Sequence, residues 1–254
     1  MIMNTLSIVQ YLEFPRNVLF AAVLIAILTF LYKKRKDSKI VRFMLSSRAT
    51  IGSIIAIIIG AMGVAFIPDF STSVIFILIL LFVLSNLFFV ILYGYRNKRG
   101  KRLRFLLNHV GLWIALFAGF IGAADTKEVS TTVFRNAPTN EAFYKNGERT
   151  FLDYKLMLHS FDVVYSTDGT PTNYEARVII ERDTALLKVN HPYSHTLFEN
   201  MYLTGYDIAG GNNAQYCTVQ IVFSPWKFPM LLGIIMMLCG SVMLFIQGPK
   251  RTKL

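Results

Sequence analysis

The sequence predicts an α-helical polytopic membrane protein of four to five transmembrane helices, with a β-rich extracytoplasmic domain inserted before the last helix. Three observations predict it. The chain is 54% hydrophobic and only 16% charged, and a soluble domain of this length needs more polar surface to cover one core. The apolar residues gather in long runs. Residues 125–225 break that pattern and alternate in strand-like fashion between turn signals.

The runs cover residues 17–32, 51–67, 74–93, 105–124 and 228–246. A hydrocarbon core about 30 Å thick takes roughly 17 to 25 helical residues. Four runs supply that length and the first is at the short end. Its basic charge follows the apolar stretch and no small-residue cleavage site is evident, so a retained span is expected there in preference to a secretion signal. The chain accordingly divides into an N-terminal helix and basic loop (1–49), a transmembrane hairpin and second basic loop (50–104), a histidine-bearing helix (105–124), the β-rich domain (125–225), and a final helix with its tail (226–254).

Charge gives the expected orientation. KKRKDSK at 33–39, with Arg42 and Arg48, fills the first loop; RNKRGKRLR fills 96–104; Lys250, Arg251 and Lys253 mark the tail. The positive-inside rule puts all three in the cytoplasm. Residues 125–225 carry more acids than bases and belong outside. Five spans with the N-terminus outside satisfy every loop. The formal net charge of +11 is then mostly topological, and nucleic-acid binding is the weaker reading because the bases flank spans instead of covering a folded face.

Between the second and third spans, PDFSTS at 68–73 is short and breaks a helix, which demands an antiparallel hairpin. Gly52, Gly60, Gly63, Gly111, Gly119 and Gly122 stand at or near helical spacing and are expected to let helices approach closely. In the outer segment, residues 128–135, 154–165 and 173–181 read as strands, the last two joined through Asp168-Gly169 as a hairpin. ALLKVN, ENMYLTGYDI and TVQIVFS follow. Six to eight strands in a small sandwich or barrel-like domain are expected. Trp226 and Lys227 read as interfacial anchors at the start of the last span. The glycine-rich GYDIAGGNN at 205–213 reads as a hairpin loop.

Chemistry narrows to one histidine. His109 lies within a span, where an ionisable group is costly unless paired or functional. Proton relay, metal or haem ligation, an interhelical hydrogen bond, or simple wetting by headgroups near the basic loop are the alternatives. His191 and His195 in NHPYSH have metal-like spacing, but Pro192 denies them a shared helical face, and a surface loop is expected. His159 sits in an alternating strand and should face solvent. Cys217 and Cys239 belong at different depths, so no intrachain disulfide is expected, and without CxxC there is no redox pair. No GxSxG, phosphate-binding glycine loop or in-span carboxylate pair is present, so an enzyme acting alone is not expected.

Several stretches resemble the ResB (Ccs) family of System II cytochrome c biogenesis. LHSFDVVYSTDGTPTNYEARVII (158–180) is similar to its strand–turn–strand, and VNHPYSHTLFENMYLTGYD (189–207) to its second outer motif. FLLNHVGLWIALFAGFIGA (105–123) resembles its histidine-bearing span. Residues 50–97 resemble its first helical hairpin, including Asn86-Leu87. The outer domain is shorter than the family's, Ser194-His195-Thr196 replaces a glycine-containing turn, and residues 17–32 add a span. The resemblance implies a haem-handling subunit of a membrane cytochrome c synthase complex in the bacterial cytoplasmic (inner) membrane. It implies a ResC/CcsA-type membrane partner and apocytochrome c as recipient. It makes His109 the candidate axial haem ligand, with Trp113 either stacking on the porphyrin or facing lipid. A scaffold subunit that binds no haem, and a membrane-anchored accessory protein whose outer domain binds a ligand, are the alternatives.

Overall fold

The computed structural model describes residues 13–35, 37–68, 70–97, 103–168 and 171–247. Lys36, residues 98–102 of the second basic run, Gly169 of the expected turn, and Lys250, Arg251 and Lys253 lie outside them. Two compact units are present: Met1–Asp125 with Trp226–Leu254, and Thr126–Pro225.

The first unit is helical. Its elements are α1 (Arg16–Lys34), α2 (Lys39–Met44), α3 (Ser47–Phe66), α4 (Val74–Arg96), α5 (Leu103–Leu116) and α6 (Lys227–Gln247). Beyond Leu116, α5 widens into a π-helical turn over Phe117–Ile121 and tightens to a 3-10 turn over Gly122–Asp125. Among the described residues, five helices are long and apolar enough to cross a membrane, the N-terminal one included. α2 is an addition: within the expected first loop, Ser38 caps a short helix by accepting the Val41 N–H. Ser46 and Ser73 start α3 and α4 in the same way, so the hydroxyls bordering the apolar runs set where the helices begin.

Glycines place the helices. A Cβ on Gly111 would stand 2.6 Å from the Gly233 carbonyl oxygen, and one on Gly233 2.5 Å from that of Gly111. No side chain fits at that crossing of α5 and α6. Gly60, Gly63 and Gly122 are similarly hemmed in by Phe76, Phe70 and Trp226, whereas a Cβ on Gly119 would meet only the Met230 sulfur at 3.5 Å. Gly52 departs from the expectation, since nothing lies within 4 Å of where its Cβ would be.

One carboxylate ties three elements together. Asp125 accepts the Phe14 N–H and the Asn17 side-chain amide, each at 2.7 Å, and the Trp226 indole N–H. Trp226 is therefore more than the interfacial anchor expected of it. Its ring also meets the Phe117 ring edge-on.

The second unit is one eight-stranded antiparallel sheet in the order β5-β4-β3-β2-β1-β8-β7-β6. The strands are β1 (Lys127–Phe134), β2 (Thr139–Tyr144), β3 (Arg149–Tyr165), β4 (Pro171–Ile180), β5 (Asp183–Lys188), β6 (Tyr193–Ser194), β7 (Glu199–Tyr206) and β8 (Tyr216–Phe223). β3 and β4 pair as expected, with Tyr165 opposite Pro171. A bridge between Lys188 and His191 ties β5 to the chain just before β6, so the two edges of the sheet approach each other around one core. Register explains that core. Val129, Thr131 and Val133 of β1 stand opposite Ile221, Val219 and Cys217 of β8, and all six are buried. The stretch at 205–213 is the expected connection between β7 and β8, and its Asn212 side chain accepts the Val163 N–H at 2.7 Å.

Candidate functional site in the helical unit

His109 is held from one turn below. Its Nδ1 lies 2.9 Å from the Phe105 carbonyl oxygen. A carbonyl only accepts, so Nδ1 carries a proton and donates, which leaves Nε2 as the ring nitrogen turned away from the backbone. Metal-binding histidines are commonly oriented by the same kind of partner. The imidazole also stacks on the Phe105 ring, with centroids 4.0 Å apart and planes 25° from parallel. Phe105 in turn occupies the space beside Gly94 of α4, where a Cβ would come within 2.4 Å of the ring. Gly94 was not singled out in the sequence, because its role depends on a helix that follows it.

The histidine borders a cavity of about 340 Å³ between three helices. Its walls are Thr50, Ser53, Ile54 and Ile57 of α3, Val83, Asn86, Leu87 and Val90 of α4, and His109, Leu112 and Leu116 of α5. Each set recurs at three- and four-residue spacing, one stripe per helix. The volume falls in the range of small-molecule sites. Asn86, only 2% exposed, is the polar corner. Its amide donates to the Met44 carbonyl at 2.7 Å, and its Oδ1 accepts from Ser53 Oγ at 3.2 Å. With Asn86 held by these partners, His109 is the one titratable group in a largely aliphatic lining.

Trp113 lies elsewhere. Its indole N–H donates to the Leu84 carbonyl at 3.2 Å, and its ring stacks on Phe117 at 5.3 Å with planes 7° apart. It packs, partly buried, between α4 and α5, and it is not part of the cavity wall. Arg104, five residues before His109, carries a buried Nη1 that makes no hydrogen bond among the described residues, an uncompensated donor of the kind that calls for an explanation.

The outer histidines belong to the second unit. His159 and His191 are exposed, and His159 falls where the β3–β4 register shifts. His195 is half-buried with its ring 4.6 Å from that of Tyr154. The Tyr154 hydroxyl donates to Glu199 at 2.6 Å; burial, then that carboxylate, push the phenol well above its usual range. Cys217 and Cys239 are both free thiols. Among the described residues no three His, Cys, Asp or Glu side chains gather as a metal site.

Comparison with known proteins adds a family. The model of the ResB-like family matches residues 96–218, a narrower span than the resemblance over residue 50 to the C-terminus. No curated protein matches. Among solved structures the chain is similar to one described as "Cytochrome c Heme Lyase CcmF", at 12% identity and a TM-score of 0.42, over 80% of this chain and 35% of that one. The chain thus spans about a third of the length of that protein, and the likeness is too loose to define a shared fold. The stretch 96–218 that matches the ResB-like family model holds all of α5 with His109 and nearly all of the eight-stranded unit.

Proposed function

We propose that this chain is a haem-handling subunit of a membrane cytochrome c synthase assembly, working with a ResC/CcsA-type membrane partner to move haem outward and present it to apocytochrome c. The observation that carries the reading is His109: an imidazole whose Nδ1–H is held by the Phe105 carbonyl, beside a three-helix cavity of largely aliphatic walls. That donor set fits haem, whose iron takes histidine nitrogen and whose macrocycle is apolar. Haem supplies the vinyl groups to which the recipient's cysteines add.

The protein's own residues bind and orient. His109 offers Nε2 to the iron, Phe105 and Gly94 hold the ring at its angle, and the stripes of α3 and α4 keep water from the macrocycle. The β unit, on the extracytoplasmic side, shapes the place where the recipient docks. Basic residues at the ends of α1 and α4 support a multi-pass arrangement in the bacterial cytoplasmic membrane with the C-terminus inside. Reductant comes from other proteins.

The test is haem content of the full chain purified with its membrane partner. His109→Ala is expected to lower Soret absorbance per protein by more than about tenfold, since even outer-shell partners of metal ligands are worth that much. Added imidazole should restore it. Unchanged haem content in a monodisperse His109→Ala complex removes the ligand role and leaves a scaffold.

A further inference from the structure

A second concave site lies where α2 meets α3, and it has the makings of a lipid-headgroup site. Lys39, Arg42, Phe43, Ser46, Ser47 and Arg48 line a shallow, open depression of the surface. It holds three cations and two hydroxyl-bearing residues but no carboxylate. None of the three cations joins an ion pair among the described residues, unlike Arg149, Arg177 and Lys188 of the β unit. Arg42 is steadied by donating twice to the Asp37 carbonyl, at 3.1 and 2.8 Å. Lys39 and Arg48 are exposed, and neither has an ion pair or hydrogen bond among the described residues. A hollow of like charges with no internal counter-charge repels itself unless an anion sits there.

The placement of α2 says which anion. α1 ends at Lys34 and α3 begins at Ser47, so α2 runs between the ends of two apolar helices. Val41 and Met44 pack inward with Phe89, while Ile40 and Phe43 point outward at 70% and 52% exposure. Outward apolar side chains beside cations are what a helix lying in the bilayer boundary presents: apolar groups among the acyl chains, cations at phosphate depth. A soluble anion would explain the cations but not Ile40 and Phe43.

We propose that the α2–α3 corner binds the phosphodiester headgroup of an anionic phospholipid, with Lys39, Arg42 and Arg48 around the phosphate and Ile40 and Phe43 against its chains. The site is separate from His109 and does not depend on haem.

Native mass spectrometry of the full chain in mild detergent, doped with phosphatidylglycerol or phosphatidylcholine, tests it. Phosphatidylglycerol should be retained preferentially, and Lys39→Gln/Arg42→Gln/Arg48→Gln should lower its retention at least about fivefold. Lys33→Gln/Lys34→Gln/Arg35→Gln removes as many charges from the end of α1 and should leave retention unchanged. Equal retention in the first variant, or equal loss in both, overturns the proposal. So does displacement of the lipid by inorganic phosphate at equal concentration, which would mark a site for a soluble anion. On the unaltered chain, hydrogen exchange over residues 39–48 should slow in phosphatidylglycerol nanodiscs relative to phosphatidylcholine ones. The absence of that difference overturns the proposal even if the variants fail to fold.

Discussion

The two units treat their interiors in opposite ways. In the β unit, Leu156, Leu158, Phe161, Val178, Leu187, Met201 and Val219 are each exposed by 1% or less and form one filled core. In the helical unit the buried residues fall into two smaller clusters, and α3, α4 and α5 leave a cavity beside a histidine. Water drives the first arrangement, because every apolar side chain turned inward is removed from it. Helices apolar on every side, like these five, meet closely where glycines allow, as Gly111 and Gly233 do, and leave gaps where they do not. The helical unit thus keeps an apolar gap between its helices, while the hollows of the β unit lie outside its filled core.

Truncation is the sharpest way to break that contrast. Phe161→Ala should cost about 3–5 kcal/mol, the usual penalty for emptying a packed aromatic site. Leu112→Ala, on the wall of an existing cavity and already 36% exposed, should cost less than about 1 kcal/mol, because little new void is made. Hydrogen exchange of the full chain in detergent reads both, over β3 and β4 for the first and over α5 for the second. Similar losses at the two sites would mean that the cavity is filled by something that Leu112 supports.

Much of this was legible in the sequence, for reasons that also explain what was not. Span length and hydropathy are local signals, so the five long helices could be read directly. So could the β3–β4 hairpin and the inward alternation of β1 and β8. α2 was hidden because its six residues, KIVRFM, begin at the end of the lysine- and arginine-rich run at 33–39 and read with it as one loop. β2 was hidden because Thr139–Tyr144 has one fully buried position, Ala142. His109 stood out as an imidazole within an apolar run. Its supports did not: Gly94 matters only through Phe105, and Asn86, noticed only through the family resemblance, matters through Met44 and Ser53. Asp125 reaches partners 111, 108 and 101 residues away, and no local pattern encodes such a link.

That link gives a smaller, more local effect. Asp125→Ala leaves the Phe14 N–H, the Asn17 amide and the Trp226 indole without their common acceptor. Hydrogen bonds to a charged group are worth roughly 1.5–3 kcal/mol each, and water replaces part of that loss at a half-buried position. The expected cost is about 2–3 kcal/mol, seen as faster hydrogen exchange at the start of α1 and α6 while the β unit is unchanged. Asp125→Asn keeps one acceptor oxygen and should fall between the two. Uniform loosening of both units would show that the helical unit lacks the independence that its separate clusters suggest.

The smallest effect at neutral pH is also the most selective probe of the filled core. Burial pushes the Cys217 thiol up to about 12. In the unfolded chain it ionises near 9.0, so the neutral thiol favours the fold fully below that pH. The contribution is lost as the unfolded chain ionises and the core cannot, at up to about 1.4 kcal/mol per pH unit above 9. Tyr154, raised in the same direction, adds to the slope at higher pH. Stability of the β unit should therefore decline between pH 9 and 11, and Cys217→Ala should flatten part of that decline while costing little at pH 7. A thiol that reacts readily with a water-soluble maleimide at pH 8 in the folded chain would show instead that water reaches the centre of the sheet, and the contrast between a filled and an open interior would go with it.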